Sequence, residues 1–445
     1  MRYFQFTLIF IFFFSLNTFS AEKVMQLPNQ THTLKNGLKV ILVQYPSPGV
    51  IAYSLAVHAG SRNETEKGKS GFAHFFEHLM FRGTKHRTGK EFGELYAKLG
   101  NENNAWTNYD LTNYHGVVAA DYIDKVLEAE ADRFANLSFD EKQLQDEAGA
   151  VLGEYNKNIS QPESVLEEKL METAFKVHPY SHTVIGYKKD ILDYPQRYKD
   201  VWPFFKRYYR PENVSLILVG DLQFSQTLLA VKKHFEKWVG EKVAPVEIPS
   251  EPEQNEFREA AVSIDTATQT RLVIAYKSPA FSTHDKNAAI LTILPELLFS
   301  VTSDFQKEFV FEKNWIDSVY SYSPDSVDPS IWPIFLRFSN TGEAKIAEVK
   351  AAVEKEIEKL RKGKIDPTRL EQTKKRLRNS IVRSGFSSPD GLGYLIAIYT
   401  NLEGDIGVLD RMLGQLNAVS AGDIKAFANK YLIKTKQTNI TLTGK

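Results

Sequence analysis

Apolar and polar positions alternate along this chain in a pattern that repeats once. Ser54-Leu55-Ala56-Val57-His58-Ala59-Gly60 reads as a strand closed by a polar turn, and the apolar positions that follow, from Phe72 to Met80, carry helical spacing. Arg271-Leu272-Val273-Ile274-Ala275-Tyr276-Lys277 is again a strand, followed by a polar turn and a helical run over 288–298. Near the end of each half comes a second echo. Tyr208-Tyr209 leads into the apolar run 213–220, and Tyr431-Leu432 into 439–444. Such self-similarity predicts two copies of one α+β unit, each a layer of antiparallel sheet with packed helices. Between them, residues 244–255 are rich in Pro and Glu, which favours an extended linker. The expected division is a leader over 1–20, a first domain over 21–243, the linker, and a second domain over 256–445.

The helix expected from Asp140 onward has a capping signature, with Gln143 three residues after Asp140. Leu144, Ala148, Val151, Leu152 and Tyr155 keep its apolar period, while Glu147 and Glu154 share another stripe. Two carboxylates on a partly apolar helix are costly to bury unless paired or ligated; taken alone they read as a solvated face. Aligning Asp140 with Asp366 in the second copy places Thr373 opposite Glu147 and Ser380 opposite Glu154. His284 is the only histidine beyond the linker. The two copies share a framework and differ in chemistry.

Composition changes this picture in two respects. Lys+Arg and Asp+Glu are each 55, a balance that gives no reason to expect nucleic acid or an anionic surface as partner. Cysteine is absent, which rules out disulfides and a lipid-anchored cysteine and leaves nitrogen and oxygen as the ligands of any metal site. At the N-terminus, Met1-Arg2-Tyr3 precedes an apolar run from Phe4 to Leu16 and then the small residues Thr18, Ser20 and Ala21. This is the pattern of a secretory signal peptide cleaved after Ser20 or Ala21, too short to span a bilayer. A soluble mature protein in a periplasmic or secreted location is expected.

Candidate chemistry is concentrated in Gly71-Phe72-Ala73-His74-Phe75-Phe76-Glu77-His78. On a helix His74, Glu77 and His78 project to one side. Two neutral imidazoles can hold Zn²⁺ while a carboxylate kept off the metal takes a proton from the attacking water. The order His-x-x-Glu-His reverses the commoner His-Glu-x-x-His. Phe72, Phe75, Phe76, Leu79 and Met80 also allow a plainer reading, histidines hydrogen-bonded beside an apolar face. A catalytic zinc needs a third protein ligand, and the helix bearing Glu147 and Glu154 supplies candidates.

The run Ala59-Gly60-Ser61-Arg62-Asn63-Glu64, then Gly71 through His78, then Met80-Phe81-Arg82-Gly83-Thr84, resembles the signature of the M16, or pitrilysin, metallopeptidases. Mitochondrial processing peptidase and insulin-degrading enzyme belong to that family. In it the third ligand is a glutamate about 76 positions beyond the second histidine, with another glutamate seven residues earlier. The resemblance therefore implies Glu154 as third ligand, Glu147 as a supporting carboxylate and Glu77 as the general base of a zinc-dependent endopeptidase acting on peptides or unfolded segments. A further family element is matched by the stretch from Asn104-Ala105-Trp106-Thr107 to Asn113-Tyr114, which implies that Asn104 and Ala105 bind the substrate backbone by strand addition. The second half resembles the family's non-catalytic domain.

One family element is missing. Active members complete the site with an Arg and a Tyr seven residues apart, and the corresponding stretch here, 309–317, places Val310 and Asp317 there, with Tyr320 and Tyr322 close by. A valine cannot donate a hydrogen bond and an ionised aspartate opposes an oxyanion. The resemblance thus implies a second M16-like subunit carrying Arg and Tyr, or a homodimer. The competing expectation is a non-catalytic scaffold subunit with a structural metal, although structural zinc usually takes four protein ligands. His58 and His115 read as structural. His178 and His182, separated by Pro179, read as loop residues with at most a minor substrate role, and Gly391-Leu392-Gly393 as a turn or helix start.

Overall fold

Residues 25–444 are described by the structure, a computed structural model, so the expected leader and its cleavage points lie outside the described residues. The first half contributes β1 (Asn29–Thr33), β2 (Lys39–Gln44), β3 (Val50–Val57), β4 (Glu102–Thr107), β5 (Thr112–Ala119) and β6 (Val214–Gly220). Its helices are α1 (Phe72–Leu79), α2 (Gly89–Leu99), α3 (Ile123–Asn136), α4 (Glu141–Ile159), α5 (Pro162–Ala174), α6 (Lys188–Asp193), α7 (Tyr198–Tyr208) and α8 (Phe224–Phe235). The second half contributes β7 (Arg258–Ile264), β8 (Arg271–Ser278), β9 (Ile316–Ser321), β10 (Ser330–Phe338) and β11 (Gln437–Gly444). Its helices are α9 (Asn287–Phe299), the short α10 (Asp304–Gln306), α11 (Ile346–Arg361), α12 (Pro367–Gly385), α13 (Pro389–Glu403), α14 (Val408–Ala418) and α15 (Ala421–Tyr431).

The α+β expectation holds, with one refinement. The sheets run β1-β2-β6-β3-β5-β4 and β7-β11-β8-β10-β9. All pairings are antiparallel except β2 with β6 and β7 with β11. The last strand of each half inserts between its first long strand and the next, which run in opposite directions, so it must lie parallel to one of them. β6 is buried along its whole length, because helices cover both faces of the sheet and a strand so placed reads as a continuous apolar run.

The helical cover is exchanged between halves. One face of the first sheet packs on its own α1, α3 and α4 through Phe72, Phe75, Phe76, Phe134 and Val151. The other face is covered by α13 of the second half, whose Leu392, Ile396 and Ala397 meet Ile41, Ala56 and Val219. In return α5 lays Leu166, Leu170 and Ala174 against Val273, Ala275 and Ile440 of the second sheet. Gly391-Leu392-Gly393 accordingly lies in the first turns of α13, capped by the Ser388 side chain, and Gly393 keeps that helix close to Ser54 and Val219. The linker region has neither helix nor strand. It is nevertheless tied down, since Glu251 accepts backbone N–H groups from Lys176, Val177 and His178 at 2.9–3.1 Å and the Gln254 amide donates to the Gln437 carbonyl at 2.9 Å.

His58, His115 and His178 serve these junctions. His58 bonds Ser215 at 2.9 Å and Asn401 of α13 at 2.5 Å. Ser215 is fully buried, and this chain of side chains joins the halves. His115 lies within β5 and contacts Asp390 at 3.2 Å. His178 and His182 flank a short turn outside the regular helices and strands, as loop residues would, but both are buried. Pro179 does break the helix, but the short turn Pro179–Ser181 folds inward, where His178 accepts the Tyr180 N–H and reaches Asp328 of the second half at 2.9 Å.

Candidate metal centre

α1 begins without a capping side chain of its own: Gly71, at φ +88°, occupies its N-cap. A Cβ there would stand 2.2 Å from the Ile185 carbonyl oxygen, and the positive φ also favours glycine. The cap comes from outside the helix. Glu64, fully buried, accepts the N–H groups of Gly71 at 2.5 Å and Ala73 at 2.7 Å, so its carboxylate complements the positive end of the helix. Burial pushes that carboxyl well above its ordinary range, against the pull of the two N–H groups. The phenylalanines of α1 anchor one face in the core and turn His74, Glu77 and His78 to the other.

α4 crosses this face. Asp140 and Gln143 form its expected capping box, and the apolar period of Leu144, Ala148, Val151 and Tyr155 fixes its rotation against the core. That rotation brings Glu147 and Glu154 to α1. One ligand atom each from His74, His78 and Glu154 fall within 4.8 Å of one another, a cluster of the kind that holds a metal ion. The Glu154 Oε2 lies 3.6 Å from His74 Nε2 and 3.5 Å from His78 Nε2. Two ligands bound at about 2.1 Å to a tetrahedral ion sit about 3.4 Å apart, so these separations suit a shared Zn²⁺ better than direct hydrogen bonds. Two imidazole nitrogens and one carboxylate also suit zinc chemically.

The surroundings favour the states a metal needs. Burial pushes the His74 imidazole down to about 4, against the nearby Glu154 carboxylate and with the neighbouring His78 charge. The Glu154 carboxyl is held below its ordinary value chiefly by His78, against partial burial. A neutral imidazole and an ionised carboxylate are the metal-binding forms. His78 is oriented from behind, its Nδ1 lying 2.8 Å from Glu147 Oε1. Glu147 is itself buried and paired with Arg82. By contrast, His74 Nδ1 is buried without a hydrogen-bond partner.

Glu77 stands one step off this trio. Burial raises its carboxyl above the ordinary range, while the Thr107 hydroxyl, donating to Oε2 at 2.6 Å, opposes the rise. A cavity of about 290 Å³ opens beside the cluster, lined among others by His74, Thr107, Glu154, Tyr155, Asn158 and Glu167. Thr107 belongs to β4, which ends the first sheet. Asn104 and Ala105 are on the same edge strand. Asn104 is exposed and its Oδ1 accepts the Ala105 N–H at 2.9 Å, whereas Ala105 is buried.

Sequence reasoning missed Glu64, Arg82 and Thr107 as parts of the site, though all three lie inside the motif stretches. Strand alternation was the available signal for Thr107, since it shares a face with Ala105. In the second half, Val310 packs partly buried against the core from a π-helical turn, Lys307–Glu312. Asp317 is the second residue of β9 and accepts from Gln269 at 2.6 Å. Tyr320 is stacked on Phe335 with centroids 4.9 Å apart. Neither Val310 nor Asp317 offers an oxyanion donor.

Comparison with known proteins identifies the family. Residues 39–188 match the model of the insulinase family, peptidase family M16, and residues 197–377 match the M16 inactive domain. The chain is 33% identical to the zinc protease PqqE of Helicobacter pylori over 93% of its own length and 92% of that protein's. It is 25% identical to the mitochondrial-processing peptidase subunit beta of Neurospora crassa, over 90% of this chain and 85% of that one. The crystal structure of a protease from Helicobacter pylori superimposes with a TM-score of 0.87 at 30% identity, covering 94% of this chain and 99% of that one. With the two-sheet fold, the matched domain pair and a full-length relative all in accord, the chain belongs to the M16 family of zinc-protease-like proteins.

Proposed function

We propose that this chain is the zinc-bearing subunit of an M16 endopeptidase that hydrolyses peptides or unfolded polypeptide segments. The observation that carries the reading is the convergence of His74, His78 and Glu154, with Glu77 on the same helix held by Thr107. Zn²⁺ held by the trio would act as a Lewis acid, acidifying water toward a pKa of about 7 and polarising the scissile carbonyl. Glu77 would take the water's proton on Oε1 and return it to the leaving amine. Glu147 would hold His78 in register through Nδ1. The exposed edge of β4, with Asn104 and Ala105, would receive the substrate as an added strand, which demands little of its side chains.

Val310 and Asp317 support a division of labour in which a second M16-like subunit, or another copy of this chain, supplies the groups that bind the developing oxyanion. The expected leader supports a periplasmic or secreted location. The competing reading, a scaffold subunit with a structural metal, is disfavoured by the three-ligand cluster. Assaying wild type and Glu77→Gln, with and without the partner, separates the two. The expected result is retained zinc and a loss of hydrolysis of about 10²- to 10⁴-fold in the variant. Equal behaviour of both proteins with the partner present would favour the scaffold. Full activity from the isolated chain, unchanged by any partner, would remove the division of labour.

A further inference from the structure

We infer that Thr107 is a positioning residue that fixes the general base against the strand receiving the substrate; this rests on the peptidase reading of Glu77. Two side-chain contacts give the hydroxyl its direction. Thr107 Oγ1 lies 2.6 Å from Glu77 Oε2 and 3.4 Å from Thr112 Oγ1. The Thr112 hydroxyl donates its proton to the Ala59 carbonyl at 2.9 Å, so it has none to give to Thr107. A hydroxyl carries one proton, and the shorter, charge-assisted contact takes it. Thr107 therefore donates to Glu77 and pins one oxygen of the carboxylate, leaving Oε1 to meet the water.

The placement of Thr107 gives that bond a second consequence. It lies on β4, two residues after Ala105 and on the same face, on the edge strand of the sheet. A substrate strand added to β4 is thereby referenced to the proton-accepting oxygen through one side chain, without passing through the metal ligands. Thr112, paired directly opposite Thr107 on β5, anchors the arrangement to the carbonyl that follows β3. The base, the substrate edge and the sheet interior are joined by a short series of hydroxyl contacts.

The test compares Thr107→Val, which keeps the shape and loses the donor, with Thr107→Ser, which keeps the donor. With the partner present, Thr107→Val should lower kcat about 10- to 100-fold with KM and zinc content close to wild type, the scale of a lost hydrogen bond to a charged group. Thr107→Ser should restore most of the rate. A second readout needs no turnover. In the metal-free chain, the infrared carboxyl band isolated by subtracting the Glu77→Gln spectrum should shift in Thr107→Val and stay in place in Thr107→Ser. Wild-type kcat in Thr107→Val, an unshifted band, or a Thr107→Ser variant as slow as Thr107→Val would overturn the assignment. Inactivity of the wild type with its partner would instead overturn the peptidase reading, and the band would still decide the hydrogen bond.

Discussion

α4 and α12 are the same helix in two chemical states. Both have nineteen residues, begin after an aspartate cap and occupy corresponding places in their halves. On α4 the inward stripe holds Glu147 and Glu154; on α12 the same positions are Thr373 and Ser380. Glu147 is buried at 4% exposure and tolerated there because His78 and Arg82 meet its two oxygens. Thr373 is wholly buried and its hydroxyl has no partner. The facing helices differ in the same sense. α1 turns His74, Glu77 and His78 away from its apolar face, whereas α9 buries Ala288, Ile290, Leu291, Ile293, Leu294, Leu297 and Leu298. A charged stripe survives in this fold only where the opposite helix answers it. Where the answer is absent, the same two positions carry uncharged side chains, Thr373 buried and Ser380 exposed.

Removing the chemistry from α4 should produce the largest effect. Glu154→Gln should leave the circular dichroism spectrum unchanged and weaken zinc binding by more than the roughly 100-fold typical of an outer-shell change. Metal analysis showing full occupancy in that variant would transfer the ligand role to Glu147. Next comes Glu147→Gln, which leaves the trio intact but loosens the support of His78, with an expected loss of about 10- to 100-fold in zinc affinity by competition with a chelator. An effect as large as that of Glu154→Gln would mean that Glu147 reaches the metal itself.

The junction of the halves should respond to pH. Asp328 is held down to about 2, against an ordinary value of 3.8, by its hydrogen bond to His178 and by Arg62. A folded-state value below the unfolded one contributes stability that is complete above the unfolded value and is lost as pH falls through the folded value. Asp328→Asn should therefore cost about 1–2 kcal/mol in urea unfolding at pH 7, and the wild-type and variant curves should converge as the pH drops from about 4 toward 2. Curves that stay parallel would dissociate this carboxylate from the coupling of the halves. The smallest effect is expected on the inert copy. Thr373→Val should raise stability by about 1 kcal/mol or less, since it removes a buried hydroxyl that has no partner. Destabilisation there would show that the hydroxyl has work that its surroundings do not reveal.

Much of the site was legible because it is local. His74, Glu77 and His78 lie within one helical turn and a bit, and a turn of helix fixes which side chains share a face whatever packs around it. The capping box of α4 and the place of Glu147 and Glu154 on one stripe were readable on the same grounds, as was the repeat that divides the chain in two. The parallel pairing of β2 with β6 and of β7 with β11 was not, because local alternation gives a strand its faces and leaves its neighbour open. Nor was the exchange of α5 and α13, since an apolar stripe states that a helix must be covered and is silent about which sheet does it.

The sequence by itself determined which polar side chains share a face of α1, their order along the helix and the inequality of the halves. Only the tertiary structure decided that Glu154 faces both imidazoles while Glu147 stands behind His78, that Glu64 folds back from the preceding loop to cap α1, and that Thr107 holds Glu77. Those contacts join α1 to α4, to the loop before it and to β4, elements whose mutual rotation is set by the packing of the whole core and by no single stretch of chain.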